Sequence, residues 1–205
     1  MRPTTLHLTG DRSADDLLSS NPLALLIAMV LDQQIPLERA FKAPSILAER
    51  LGGRLNALTV SSTPPDDFVE LFSQKPALHR FPKSMAGRVQ QVCQVLLEDY
   101  GGKAESIWAD ARDGRELVAR LEALPGFGAQ KARIFAALLA KQLGVRPKGW
   151  EAATHPYGAP ETFISVADVT DPESLERVRA FKRAAKSGPE KSGPEKSGPV
   201  ESPKS

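Results

Sequence analysis

Residues 124–133 read Leu124-Pro125-Gly126-Phe127-Gly128-Ala129-Gln130-Lys131-Ala132-Arg133. Two glycines flank one apolar residue; a helical pattern, Gly114 to Ala123, runs into them, and another, Ala129 to Leu143, runs out. Glycine permits positive φ and lets a ligand come close to the backbone. The second helix starts directly after the turn, so its unpaired N–H groups and the positive end of its dipole face outward. Such an end seats an anion, and a tight turn between two helices is built to grip a nucleic-acid phosphate. In this reading Leu124, Pro125, Gly126 and Gly128 shape the grip, and Phe127 turns inward and pins it to the core. Gln130, Lys131 and Arg133, in the first turn of the second helix, meet the same phosphate backbone. Contacts of this kind position a protein without reading sequence. A ligand-free interhelical turn is the plainer alternative.

Four further groups carry candidate chemistry. Gln33 and Gln34 end an apolar helix; each amide offers one acceptor and two donors, enough to cap the helix carbonyls. Trp150, His155 and Tyr157 cluster in an irregular stretch and could stack on an unpaired base or pack a loop onto the core. Asp168 lies in Ser165-Val166-Ala167-Asp168-Val169, and Glu151 is an acid closer to the hairpin. Cys93, with Val92, Val95 and Leu96, reads as a buried inert thiol. His7 and His79 stand alone, no Cys/His/Asp spacing suggests a metal site, and no cofactor is expected.

The elements that must position these groups are helical. Asp11 to Ser20 reads as a short capped helix with Ser13 as N-cap. Asn21-Pro22 is a cap followed by a proline at the first helical position, opening an apolar helix from Leu23 to Gln34. Pro36 to Gly52 is near helical spacing, interrupted at Pro44. Thr59 to Pro65 reads as a loop, Asp66 to Phe72 as a short helix, and Met85 to Tyr100 as a longer one closed by Gly101-Gly102. Ala104 to Ala109 is short. From Gly144 to Ala167 periodicity fails. Asp171 caps a last helix, Glu173 to Ala185. No stretch alternates with period two, so the fold class is all-α. A folded unit over 1–185 is followed by a Lys-Ser-Gly-Pro-Glu repeat over 186–205, whose composition predicts disorder.

The 205 residues are 41% hydrophobic, enough for one sizeable core or two small lobes. A single cysteine excludes a four-cysteine iron–sulfur cluster and an internal disulfide. Arg2 is followed by polar threonines, so no signal peptide is read. The longest apolar run, the nine residues Leu23 to Leu31, is less than half of the ~20 residues a membrane span needs, and a cytoplasmic protein without a membrane partner is expected. The net charge is +2; six Lys/Arg and three Glu place +3 within Lys182–Ser205, leaving −1 for the rest. Contact with nucleic acid must therefore use a local basic patch and backbone amides, not a broad basic surface.

The Leu124–Gly128 hairpin with its flanking helices resembles that of the helix-hairpin-helix DNA glycosylases, the superfamily that includes endonuclease III. Asn21-Pro22-Leu23 to Leu31-Asp32-Gln33-Gln34 is similar to that family's early helix, which ends in a glutamine pair at the base pocket. Phe81-Pro82-Lys83-Ser84-Met85-Ala86-Gly87-Arg88 to Tyr100-Gly101-Gly102 is similar to a helix that follows a short turn there. The chain also resembles an actinobacterial-type branch known as base-excision repair proteins. The resemblance implies a two-lobed helical fold, double-stranded DNA as partner, and hydrolysis of the glycosidic bond of a flipped, damaged base. Members with lyase activity carry a lysine nucleophile where this chain has Gln130, with Lys131 turned about 100° further round the helix; the resemblance implies a monofunctional enzyme, with Lys131 as an offset nucleophile the alternative. The family's aspartate would fall at Lys148-Gly149-Trp150. Asp168 supplies the matching apolar-apolar-acid context if residues 145–164 are an insertion; Glu151 needs no insertion but has the wrong context. Neither being catalytic stays open. A binding module for distorted DNA and a repair-complex adaptor are the other readings.

Overall fold

The computed structural model describes residues 5–186; the repeat expected to be disordered lies outside the described residues, apart from Lys186. All regular structure among them is helical. The N-terminal half contains α1 (Arg12–Ser20), α2 (Pro22–Leu31), α3 (Leu37–Arg50), α4 (Ala57–Ser62), α5 (Pro65–Ser73) and α6 (Pro82–Asp99). The C-terminal half contains α7 (Ser106–Ala109), α8 (Gly114–Glu122), α9 (Ala129–Gln142), α10 (Trp150–Thr154), a 3-10 turn over Val166–Asp168, and α11 (Pro172–Lys186).

The apolar run of the sequence is the central helix. Every residue from Leu23 to Leu31 is at most 5% exposed, which at roughly 1.5–3 kcal/mol per large aliphatic side chain makes α2 the main hydrophobic contributor. Asn21 starts it: its side-chain oxygen accepts from Leu23 N and Ala24 N, and Pro22 occupies the first turn. Helix α2 packs against α1, α3 and α6, and α6 against α4 and α5. In the other half α8 and α9 pack on each other, and α10 packs on both. The 3-10 turn joins α9 to α11. One hydrophobic core runs through both halves. Among the described residues no single helix is long and apolar enough to cross a membrane.

Four local expectations are corrected. The N-cap of α1 is Asp11, not Ser13, because the Asp11 carboxylate accepts from Ser13 N and Ala14 N. The stretch expected as a loop over Thr59 to Pro65 is largely α4, started by the Asn56 side chain accepting from Thr59 N at 2.8 Å and held by Gln90, which donates to Val60 O and Thr63 O. Pro44 does not interrupt α3 but lies buried within it. The apolar helix also ends at Leu31, which leaves Gln33 and Gln34 in a loop.

Candidate nucleic-acid interface

The segment Ala123–Gly128 links α8 to α9, and two residues fix its shape. Phe127 is 8% exposed and its ring lies 6.1 Å from that of Phe135, which anchors the turn inward as expected. Gly126 has φ +85°, and a Cβ there would stand 2.2 Å from Arg88 Cδ; the α6 arginine lies across the turn. Gly128, by contrast, has φ −112° and open space where a side chain would be. No side chain caps α9. The exposed residues Gly128, Ala129 and Gln130 therefore present the amide end of a 14-residue helix to the outside. Arg133 folds back to donate to Ala129 O at 3.2 Å.

Beside this end lies a cleft of about 1080 Å³. Gln33 and Gln34 line it from the loop after α2, and Gln130 and Lys131 from the start of α9. Gln34 holds φ +56°, a left-handed conformation that is uncommon outside glycine and concentrates at functional sites. Gln33 is held on every side. Its amide nitrogen donates to Val30 O at 2.9 Å and contacts Met85 Sδ, and Arg88 reaches its amide oxygen at 3.4 Å. Its backbone carbonyl accepts from His79 Nε2 at 2.9 Å. His79 Nδ1 in turn accepts from Phe81 N at 3.1 Å, which assigns the proton to Nε2 and makes the ring a neutral strut between the two loops. His79 is 1% exposed; burial holds its pKa below the ordinary histidine value, and the cations Arg39, Lys131 and Arg80 push the same way.

Lys131 is half-buried. Its ammonium donates to Val30 O at 3.0 Å and stands 5.7 Å from the centre of the Phe127 ring. Burial pushes its pKa down to about 8; the charge of Asp32 opposes that shift and Arg88 reinforces it. Two acids, Asp32 and Glu38, also line the cleft. Arg80, and Arg179, Lys182 and Arg183 of α11, line the cleft as well, with Arg179 paired to Glu38 and Glu176. The spacing of Arg179, Lys182 and Arg183 places the three on one helix face, a signal present in the sequence.

The remaining candidates are elsewhere. Asp168 is 8% exposed and fully bonded: Oδ1 meets Lys141 Nζ at 2.5 Å and accepts from Thr162, while Oδ2 accepts from Ile164 N and Ser165 N. It closes a capping box with Ser165 and does not line the cleft, so its place in the structure is that of a staple between the 3-10 turn and α9. Trp150 packs against Gly158 and the Arg146 guanidinium. His155 and Glu151 line a separate shallow groove. Of the aromatic cluster only Tyr157 approaches the hairpin, where its hydroxyl accepts from Gln130 Nε2 at 2.9 Å. Cys93 is fully buried, with its thiol pushed up to about 12 by burial, and it takes no part.

No family model and no curated protein matches the chain. Among solved structures it is similar to a trapped endonuclease III–DNA covalent intermediate, the estranged-adenine complex. That match has 17% identity and a TM-score of 0.48, over 88% of this chain and 89% of that one. A non-covalent endonuclease III–DNA complex matches at 19% identity and a TM-score of 0.45, over 83% and 80%.

Proposed function

We propose that this protein is a base-excision repair glycosylase: it holds duplex DNA at the start of α9, receives an extruded damaged base in the adjoining cleft, and hydrolyses its glycosidic bond without cutting the strand. One observation carries the reading. Gln33, Gln34, Gln130 and Lys131 come from segments about a hundred residues apart in the chain and line one cleft, beside a helix end that no side chain caps. Amides of both hydrogen-bonding polarities suit the edge of an unpaired base. The cationic residues of α11 suit phosphates at the cleft. Gln130, bonded to Tyr157, occupies the position where relatives with lyase activity carry their nucleophile, so hydrolysis is the reaction assigned.

The placement of Lys131 favours a second reading. Its amine lines the same cleft, and with a pKa near 8 a useful fraction is neutral and nucleophilic at slightly alkaline pH. One experiment separates the readings: a duplex panel carrying uracil, alkylated purines, oxidised purines or mismatched adenine, scored for released base and for nicking before alkali. Base release with an intact strand supports the hydrolytic enzyme. Nicking that disappears in Lys131→Met supports the lyase. Salt-dependent binding with no release from any lesion assigns a damage-binding module instead.

A further inference from the structure

We infer that Asp32, at the C-terminal end of α2, is the carboxylate that faces the sugar when the glycosidic bond breaks. The inference rests on the glycosylase reading above and supplies the acid that reading lacks.

Heterolysis of the bond leaves positive charge on the sugar, and a carboxylate at contact distance stabilises it and takes a proton from the attacking water. The acids around the site divide by position. Asp168 is bonded through both oxygens and is paired with Lys141, ten residues along α9 from Lys131 and so roughly 15 Å away along the axis. Glu151 belongs to the separate groove at α10. Glu38 borders the cleft but is held in an ion pair by Arg179. Asp32 lines the cleft directly beside the glutamine pair.

Its backbone is fixed for that task. Asp32 N donates to Ala28 O at 2.9 Å as the last bond of α2. The next residue is clamped by His79 and Arg88, so residues 32 and 33 are set as a unit. In the same cleft the Lys131 ammonium is anchored on Val30 O, two residues before Asp32, and the Asp32 charge acts on it. A carboxylate and an ammonium thus line the same cleft as Gln33, the first suited to a cationic sugar and the second to phosphate or to the departing base.

The step balances without a further reagent. The bond between C1′ and the base nitrogen breaks, and its electron pair leaves with the base, which takes a proton from solvent. Water adds its oxygen to C1′ and gives a proton to Asp32, which returns it to solvent. The products are the free base and an abasic sugar with a hydroxyl at C1′.

The test uses the full chain and two duplexes, one with a pyrrolidine abasic analogue, whose ring nitrogen is cationic, and one with a neutral tetrahydrofuran analogue. The wild type is expected to bind the pyrrolidine duplex about tenfold more tightly, the gain of one charge-assisted contact. Asp32→Asn is expected to lose that preference while keeping its affinity for the tetrahydrofuran duplex, and Glu151→Gln to keep the preference. Equal affinity of the wild type for both duplexes, or a preference that survives in Asp32→Asn, overturns the assignment but leaves the DNA-binding reading in place. Failure of the wild type to bind either duplex at low salt overturns both.

Discussion

The Lys131 ammonium sits 3.0 Å from the carbonyl oxygen of Val30, joining the first turn of α9 to the last turn of the central helix. The contact puts a cation in a half-buried place, and burial lowers its pKa to about 8. A folded pKa below the unfolded value means that the unfolded chain binds more protons between about 8 and 10.5, so stability rises with pH across that window. Lys131→Met removes the desolvated charge. Denaturant unfolding from pH 6 to 10.5 is expected to show the variant more stable by about 2 kcal/mol at neutral pH, with the advantage shrinking above pH 8. A constant difference across the range would show that the charge is not the cause.

Gly126 is expected to tolerate no side chain. Its φ of +85° is strained for any L residue, and a Cβ would run into Arg88 Cδ. Gly126→Ala is expected to cost about 1–3 kcal/mol and to displace Arg88 from Gln33. Gly126→Ala with Arg88→Ala removes the collision and leaves the φ strain. Thermal melts of the two variants are expected to show partial recovery in the double one.

Gly128 makes the opposite case. It adopts an ordinary φ with open space around it, so Gly128→Asp is expected to fold normally. A carboxylate at that N-cap gains a few tenths of a kcal/mol in helix stability, yet it would occupy the proposed phosphate seat with a like charge, and DNA binding is expected to weaken by tenfold or more. Melting temperature holding or rising while affinity falls is the signature. Affinity unchanged in the folded variant would remove the hairpin from the interface.

Local features were legible in the sequence where the cause was local. Asn21-Pro22 marked the start of α2, Asp171 the start of α11 through its bond from Ser174 N, and the Gly126–Gly128 pair the break between α8 and α9. Helix α4 was hidden because Thr59 to Pro65, rich in Ser, Thr and Pro, reads as a loop while its cap, Asn56, lies three residues before that stretch. The site was legible only in halves. Gln33 and Lys131 each drew attention by type, but nothing within a window of sequence brings them to one cleft. The clamp of His79 on Gln33 spans 46 residues, and the Lys141–Asp168 pair spans 27. Asp168 matched a motif by context, yet its partner, which decides its role, lay on a helix read for other reasons.

That pair supports a stability prediction. The Asp168 side chain is 2% exposed and that of Lys141 17%; removing one partner strands the other charge in a poor solvent. Asp168→Asn is expected to cost about 3–5 kcal/mol, whereas Lys141→Met with Asp168→Asn is expected to recover a substantial part by removing both charges. A double-mutant cycle by urea unfolding measures the coupling. Additive effects of the two changes would show that the two side chains do not act as a pair.

His79 is expected to set the acid limit of the fold. It is neutral, buried, and bonded through both ring nitrogens, one donating to Gln33 O and one accepting from Phe81 N. Protonation would turn the accepting nitrogen into a donor facing a donor. Because its folded pKa lies below the ordinary value, the unfolded chain takes up the proton first, and stability falls as pH drops below about 6.5. His79→Phe fills the volume but leaves an N–H and a carbonyl without partners, at roughly 1–3 kcal/mol each. The variant is expected to be less stable at pH 7 and to lose the histidine part of the acid slope. It is also expected to weaken binding to abasic duplex, because the Gln33 carbonyl is no longer fixed. A variant that keeps both the slope and the binding would show that the strut does not hold the two loops together.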